Sequence, residues 1–209
     1  MRPLSALEQL TKILVPPSSP VATGSPEAWA AVEARLGTRL PEDYKSFVSI
    51  YGFGAIDGAV WVFSPFANAL SHLERRLEEH QQAHVVMVEY QDEPEGLIPW
   101  ASNDYRGMCF WETDNPDPDS WTVYAALDDD AHRFPENMTT FLLKVLLGNI
   151  SLLCLVVTSV GSGRQSHTTP SAPNPDPHRL PALEDVWMRL PTSTRRCRSV
   201  AGSRSRGTM

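Results

Sequence analysis

Hydrophobic positions recur at helical spacing in five places along the chain. Leu4, Leu7, Leu10 and Leu14 predict a short N-terminal helix. Trp29, Val32 and Leu36 fall at i, i+3 and i+7, one face of a second helix, and Gly37 follows where a left-handed C-cap costs little. After Leu40 and Pro41, the residues Tyr44, Phe47, Val48 and Tyr51 form another stripe, ended by Gly52 and Gly54. Pro41 is placed in the first turn, where proline is tolerated, with Glu42 and Asp43 on the positive end of the helix dipole. "NMTTFLLKVLLGN" at 137–149 predicts a closing helix, with Asn137 as N-cap and Gly148 near its end. The weaker stripe Leu70, Leu73, Leu77 predicts a charged helix over 69–84.

Between these lie segments with strand character. "GAVWVFSPF" at 58–66 is β-branched and aromatic, bounded by Gly and Pro. "GLIPWAS" at 96–102, "GMCFWET" at 107–113 and "SWTVYAAL" at 120–127 are joined by the turns "NDYR" and "DNPDPD". Such short connections make neighbours antiparallel. The expected fold is therefore α+β: an antiparallel sheet of about four to five strands, with an aromatic helical hairpin and other helices packed against it.

Beyond residue 150 the pattern changes. From Phe141 to Val160 there are 20 residues with Lys144 as the only charge, just long enough to span a bilayer. Lys144, Gly148-Asn149 and Ser151 argue instead for a domain-closing helix followed by an apolar extension at 151–160. Residues 161–209 are rich in Ser, Thr, Pro and Arg, and are expected to be a disordered tail in which only 179–190 could form a helix on contact. The same composition fits a shifted or extended reading frame. The expected domain is 1–150.

Charge sharpens this division. Residues 1–150 carry 10 Lys+Arg and 22 Asp+Glu, a net of −12, whereas 151–209 carry a net of +5. An acidic body argues against direct nucleic-acid binding, because phosphate contacts need cations. It suits a basic protein partner. Cys109, Cys154 and Cys197 have no paired spacing, which argues against a disulfide framework or zinc site and for a reducing compartment. The N-terminus has no uninterrupted apolar run, so no secretory signal is expected.

Candidate chemistry is sparse. Asp114, Asp117, Asp119 and Asp128 to Asp130 could be read as a metal site for a hydrolase, but they lack the glycine and closing glutamate of a calcium loop. A solvated acidic turn or a recognition loop is the better reading. His80 and His84 stand at i, i+4 without a third ligand and are expected to face solvent. Ser64, Ser102 and Cys109 have no nucleophile setting, and "GFGAIDG" at 52–58 does not open a helix after a strand, so it is not a nucleotide fingerprint. No catalytic residue, cofactor or metal is assigned.

The order Trp29, Glu33, Leu36-Gly37, Leu40-Pro41, Tyr44, Phe47, Tyr51-Gly52, Gly54 resembles the opening signature of the SUKH superfamily, which contains the Smi/Knr-like proteins. Trp61 and Pro65, "IPWA" with Trp100, Gly107 to Trp111, and "DPDSW" with Trp121 extend the resemblance over roughly residues 5 to 150. The resemblance implies an α+β domain that binds rather than catalyses. Bacterial members mostly sequester a cognate toxin, often a nuclease or deaminase, in the cytoplasm; fungal members act as cell-wall regulatory scaffolds. It thus implies a cytoplasmic immunity-type protein with a basic toxin domain as partner. A regulatory scaffold or adaptor is the alternative, and a metal-dependent hydrolase the distant one.

Antiparallel alternation puts "DEPEG" and "DNPDPD" at one end of the sheet, and "NDYR" and "DDD" at the other. The first end, comprising Asp92, Glu93, Glu95, Asp114, Asp117 and Asp119, joins the most carboxylates to proline-stiffened loops and is the expected partner-binding edge.

Overall fold

The structure, a computed structural model, describes residues 3–56, 60–67, 72–86, 94–103, 107–127, 130–150 and 187–188. The helices are α1 (Ala6–Ile13), α2 (Pro26–Leu36), α3 (Glu42–Tyr51), α4 (Leu73–Val86) and α5 (Met138–Leu146). The strands are β1 (Gly54–Ile56), β2 (Val60–Val62), β3 (Leu97–Asn103), β4 (Met108–Glu112), β5 (Thr122–Leu127) and β6 (Asp130–Phe134). A two-residue strand, β7 (Trp187–Met188), is also described.

The sheet order is β6-β5-β4-β3-β2-β1-β7. β1 to β6 pair antiparallel, and β7 lies parallel to β1 through Ala55↔Trp187 and Ile56↔Met188. The fold is α+β as expected, with more strands than the pattern predicts. β1 is the direct continuation of the turn after α3, so Gly54 begins a strand rather than ending the helix. β6 reads Asp-Ala-His-Arg-Phe, with no apolar run; its pairing with β5, from Leu127↔Asp130 to Val123↔Phe134, makes it a strand. Within the segment expected to be a tail, Trp187–Met188 is strand and not helix. The expected extension 151–160 and the rest of 161–209 lie outside the described residues.

Local chemistry explains the helix ends. Ser5 caps α1 in a reciprocal box with Glu8 (3.2 and 2.6 Å), and Ser25 caps α2 by accepting from the Ala28 N–H. Asn137 accepts from the Thr140 N–H at 3.1 Å, the predicted cap of α5. Pro41 is the residue before α3, not its first turn. Gly52 carries φ 67, and a Cβ there would sit 2.2 Å from the Val21 carbonyl oxygen. The adjacent Phe53 N–H donates to that oxygen at 2.8 Å. Glycine at 52 thus lets the linker after α1 close against the exit of α3.

The principal core lies between the sheet and α1, α2, α3 and α5. Val60 and Val62, Ile98 and Trp100, Cys109 and Trp111, and Val123 and Ala125 supply the sheet face; Leu10, Val32, Tyr44, Phe47, Tyr51, Phe141 and Leu142 supply the helices. Tyr44 and Tyr51 are buried with their hydroxyls donating to the carbonyls of Phe63 and Leu14, each at 2.8 Å. Leu97, Phe110 and Tyr124 form a smaller cluster on the other face. The His80 ring, on α4, packs on Phe110 at 4.6 Å between centroids. The expectation that His80 faces solvent is therefore corrected; the His84 side chain lies outside the described residues. Trp61 points away from the main core and stacks on Phe53 at 6.1 Å. Trp29, Leu40, Pro65, Trp100, Trp111 and Trp121 are buried, and Gly37 is the left-handed C-cap of α2.

Candidate functional site

Antiparallel pairing brings the loop before β3 and the loop between β4 and β5 to the same end of the sheet. Thr113 bonds the Gly96 carbonyl through its N–H (3.3 Å) and hydroxyl (2.6 Å), tying the two loops together. Glu95 and Asp114 are both exposed at this end. Asp92 and Glu93 lie outside the described residues, as do Asp128 and Asp129.

The loop 113–121 is braced from within. Asn115 accepts from the Asp117 N–H at 2.9 Å through its side chain and from the Trp121 indole N–H at 2.8 Å through its carbonyl. Asp117 accepts from the Asp119 N–H at 3.3 Å and caps a 3-10 turn over Pro118–Ser120. The strand predicted from 120 therefore begins at Thr122.

Asp117 and Asp119 also reach another element. The guanidinium of Arg39 stands 3.2 Å from Asp117 and 3.6 Å from Asp119. Asp119 Oδ1 accepts from the Glu42 backbone N–H at 2.7 Å. α3 begins after a proline with no side-chain cap of its own. Asp119 fills that role from 77 residues away, where the helix dipole favours an anion. These two aspartates thus hold the loop to α3, and their side chains remain about half exposed (56% and 41%).

The charged surface continues across α3 to α2. Lys45 Nζ bridges Glu42 (2.6 Å) and Glu33 (3.0 Å), and Glu33 also accepts from the Leu40 N–H at 2.9 Å. Partial burial of Glu33 opposes its ionisation, but those two bonds and the positive charges of Lys45 and Arg39 outweigh it and hold its pKa below the ordinary 4.5. Beneath the surface, Asp43 accepts from the Thr139 N–H (2.9 Å) and hydroxyl (3.1 Å), joining α3 to the start of α5. Burial raises the Asp43 pKa above 3.8, the bonds from Thr139 pull the other way, and the Asp119 charge adds to the rise.

The outcome is an acidic, internally braced end of the domain: Glu95 and Asp114 on its rim, Asp117 and Asp119 clamped to Arg39, and Glu42 and Glu33 either side of Lys45. Sequence reasoning placed Glu95, Asp114, Asp117 and Asp119 together. It missed Arg39 and Lys45, gave Glu42 and Asp43 only a helix-dipole role, and had Glu33 only as part of the family signature. The one signal pointing to these residues was the acidic pair Glu42-Asp43 at a helix start with no Ser, Thr, Asp or Asn cap. Among the described residues, no group of three or more His, Cys, Asp or Glu is placed to hold a metal ion, and no helix is long and apolar enough to cross a membrane.

The family model SUKH_6, described as SMI1-KNR4 cell-wall, matches residues 26–142, more than half of the chain. The match runs from the start of α2 into α5 and so encloses the described part of the acidic end. Neither the curated proteins nor the solved structures give a significant match.

Proposed function

The chain belongs to the SMI1-KNR4 family of the SUKH superfamily, and from that membership we propose that it is a non-enzymatic immunity-type protein. It binds and neutralises a cognate toxin domain of basic surface, in the cytoplasm of the cell that makes the toxin. The family includes immunity proteins. The observation that carries the reading is the braced acidic end, where Glu95 and Asp114 stand exposed beside Asp117 and Asp119. A loop already held by Asn115, Trp121 and α3 loses little entropy when a partner docks on it. Its carboxylates attract a basic nuclease-like domain over a distance and occupy the surface that otherwise receives phosphate.

The test uses the toxin domain encoded beside this chain, with association followed by stopped flow over a range of salt. Glu95→Lys with Asp114→Lys is expected to slow association at low salt by about tenfold or more and to flatten the salt dependence. The melt stays where it was, because neither side chain holds the fold. Reversal of Asp117 and Asp119 is the wrong experiment, since it also unclamps α3. Equal association rates for the double variant and the wild type overturn the proposal for this edge. If Asp128→Lys with Asp129→Lys slows association instead, the opposite end of the sheet is the docking edge. A chain that binds no neighbouring toxin moves the reading to a regulatory scaffold of the same family.

A further inference from the structure

We propose that the groove between α1 and α5 is the receptor for the chain's own segment 152–157, Leu-Leu-Cys-Leu-Val-Val. The inner faces of both helices are spent on the main core, through Leu10 and Leu14 on one side and Met138, Phe141, Leu142 and Val145 on the other. Outside that contact a groove of about 460 Å³ remains, with Leu4, Ile13, Leu143 and Leu147 as its apolar lining and Gln9 and Lys12 beside them. Leu4 is 45% exposed and Leu147 51%, two of the most exposed large apolar side chains among the described residues. Together these side chains give the groove an apolar floor that a further apolar segment would cover.

The path of the chain names the occupant. After Leu147, Gly148 takes φ 73, and the N–H groups of Asn149 and Ile150 both donate to the Lys144 carbonyl, at 2.8 and 3.3 Å. This reversal ends α5 beside the groove, with Ile150 packed on the core. Ser151 follows, then six apolar residues in succession, and no charge occurs between Lys144 and Arg164. Six residues reach about 20 Å when extended, and an eight-residue helix such as α1 is about 12 Å long. From Ile150 a segment of this length can reach the groove and run its length, and its composition matches the apolar lining. A second copy of the chain would have to displace a tethered apolar segment whose effective concentration is far higher. The proposal makes 152–157 a wall of the domain rather than a span or a free tail.

Cys154 lies inside the segment and allows a direct test on the full-length chain. In a Cys197→Ser background, Leu4→Cys places a second thiol in the groove; Arg75→Cys on α4 is the distant control. Cys109 is wholly buried, with burial pushing its thiol up to about 12, and does not compete. Mild oxidation is followed by non-reducing mass spectrometry and gel filtration. The disulfide between position 4 and Cys154 is expected to form at least about tenfold faster than that from position 75, within a monomer. Equal rates overturn the proposal, and so does a position 4–Cys154 disulfide found only in dimers, which makes a second copy the occupant. Lys12→Cys, also on the groove and exposed, serves if Leu4→Cys alters the melt.

Discussion

Asp119 and Glu42 are joined across the domain by a hydrogen bond of 2.7 Å, from the Glu42 backbone N–H to the Asp119 carboxylate. Through it, a loop with the composition of a solvated turn closes the start of α3. Asp119→Ala is expected to destabilise the fold by about 1 kcal/mol, the usual cost of a lost helix cap, whereas Asp119→Asn keeps an acceptor and most of the stability. Arg39→Ala removes only half-exposed ion pairs and is expected to cost no more than about 0.5 kcal/mol. Urea unfolding of the three variants checks the order; Arg39→Ala costing more than Asp119→Ala would show that the ion pairs, not the cap, hold the loop.

Two carboxylates near this clamp are expected to respond to acid in opposite directions. The Asp43 pKa is raised, so the folded state binds its proton more tightly than the unfolded chain does. Its contribution improves as pH falls through the raised value toward 3.8. The Glu33 pKa is lowered, so its contribution is complete above about 4.5 and is lost as pH falls through the folded value. Urea midpoints from about pH 7 to 3.5 compare wild type with Asp43→Asn and Glu33→Gln. The stability of Asp43→Asn relative to wild type should fall on acidification, and that of Glu33→Gln should rise; parallel curves would contradict both assignments.

Trp111 and Trp121 offer a matched pair. Both are buried, but the Trp121 indole donates to Asn115, whereas the N–H groups of Trp111 and Trp100 have no acceptor among the described residues. Replacement by Phe removes a similar volume at either site. It also orphans the Asn115 carbonyl at position 121, while at 111 it relieves an unmet donor. Trp121→Phe is expected to cost about 1–2 kcal/mol more than Trp111→Phe. Calorimetry decides this, and equal losses would mean that Trp111 has an acceptor after all.

Ending the chain at Val160 is expected to leave the cooperative melt and the near-ultraviolet aromatic signal in place. Tyr44, Trp100, Trp111 and Trp121, which dominate that signal from the core, are packed by residues before 151. Among the described residues, the segment removed contributes Trp187–Met188, which pairs with the outer edge of β1. Loss of both signals would make the tail part of the fold.

What the sequence determined by itself is the set of elements whose signals are local. The stripe Tyr44, Phe47, Val48, Tyr51 specifies α3, Asn137 starts α5, and short apolar segments bounded by Asp, Asn and Pro turns specify β3, β4 and β5. Each signal lies within a few residues, so the element is legible without knowledge of what covers it. β1 and β6 escaped because three residues at Gly54–Ile56 and the polar run Asp130–Phe134 have no such period; ladder pairing with a neighbour makes them strands. Alternation of strand direction also put Glu95, Asp114, Asp117 and Asp119 at one end of the sheet. Only the tertiary structure separated their roles. Asp119 is a helix cap because a backbone N–H 77 residues away lacks an acceptor, and Asp43 is partly buried where Thr139, at the start of α5, meets it. A carboxylate's chemistry depends on its solvent exposure and nearest donors, which are properties of packing between distant segments and leave no period in the chain.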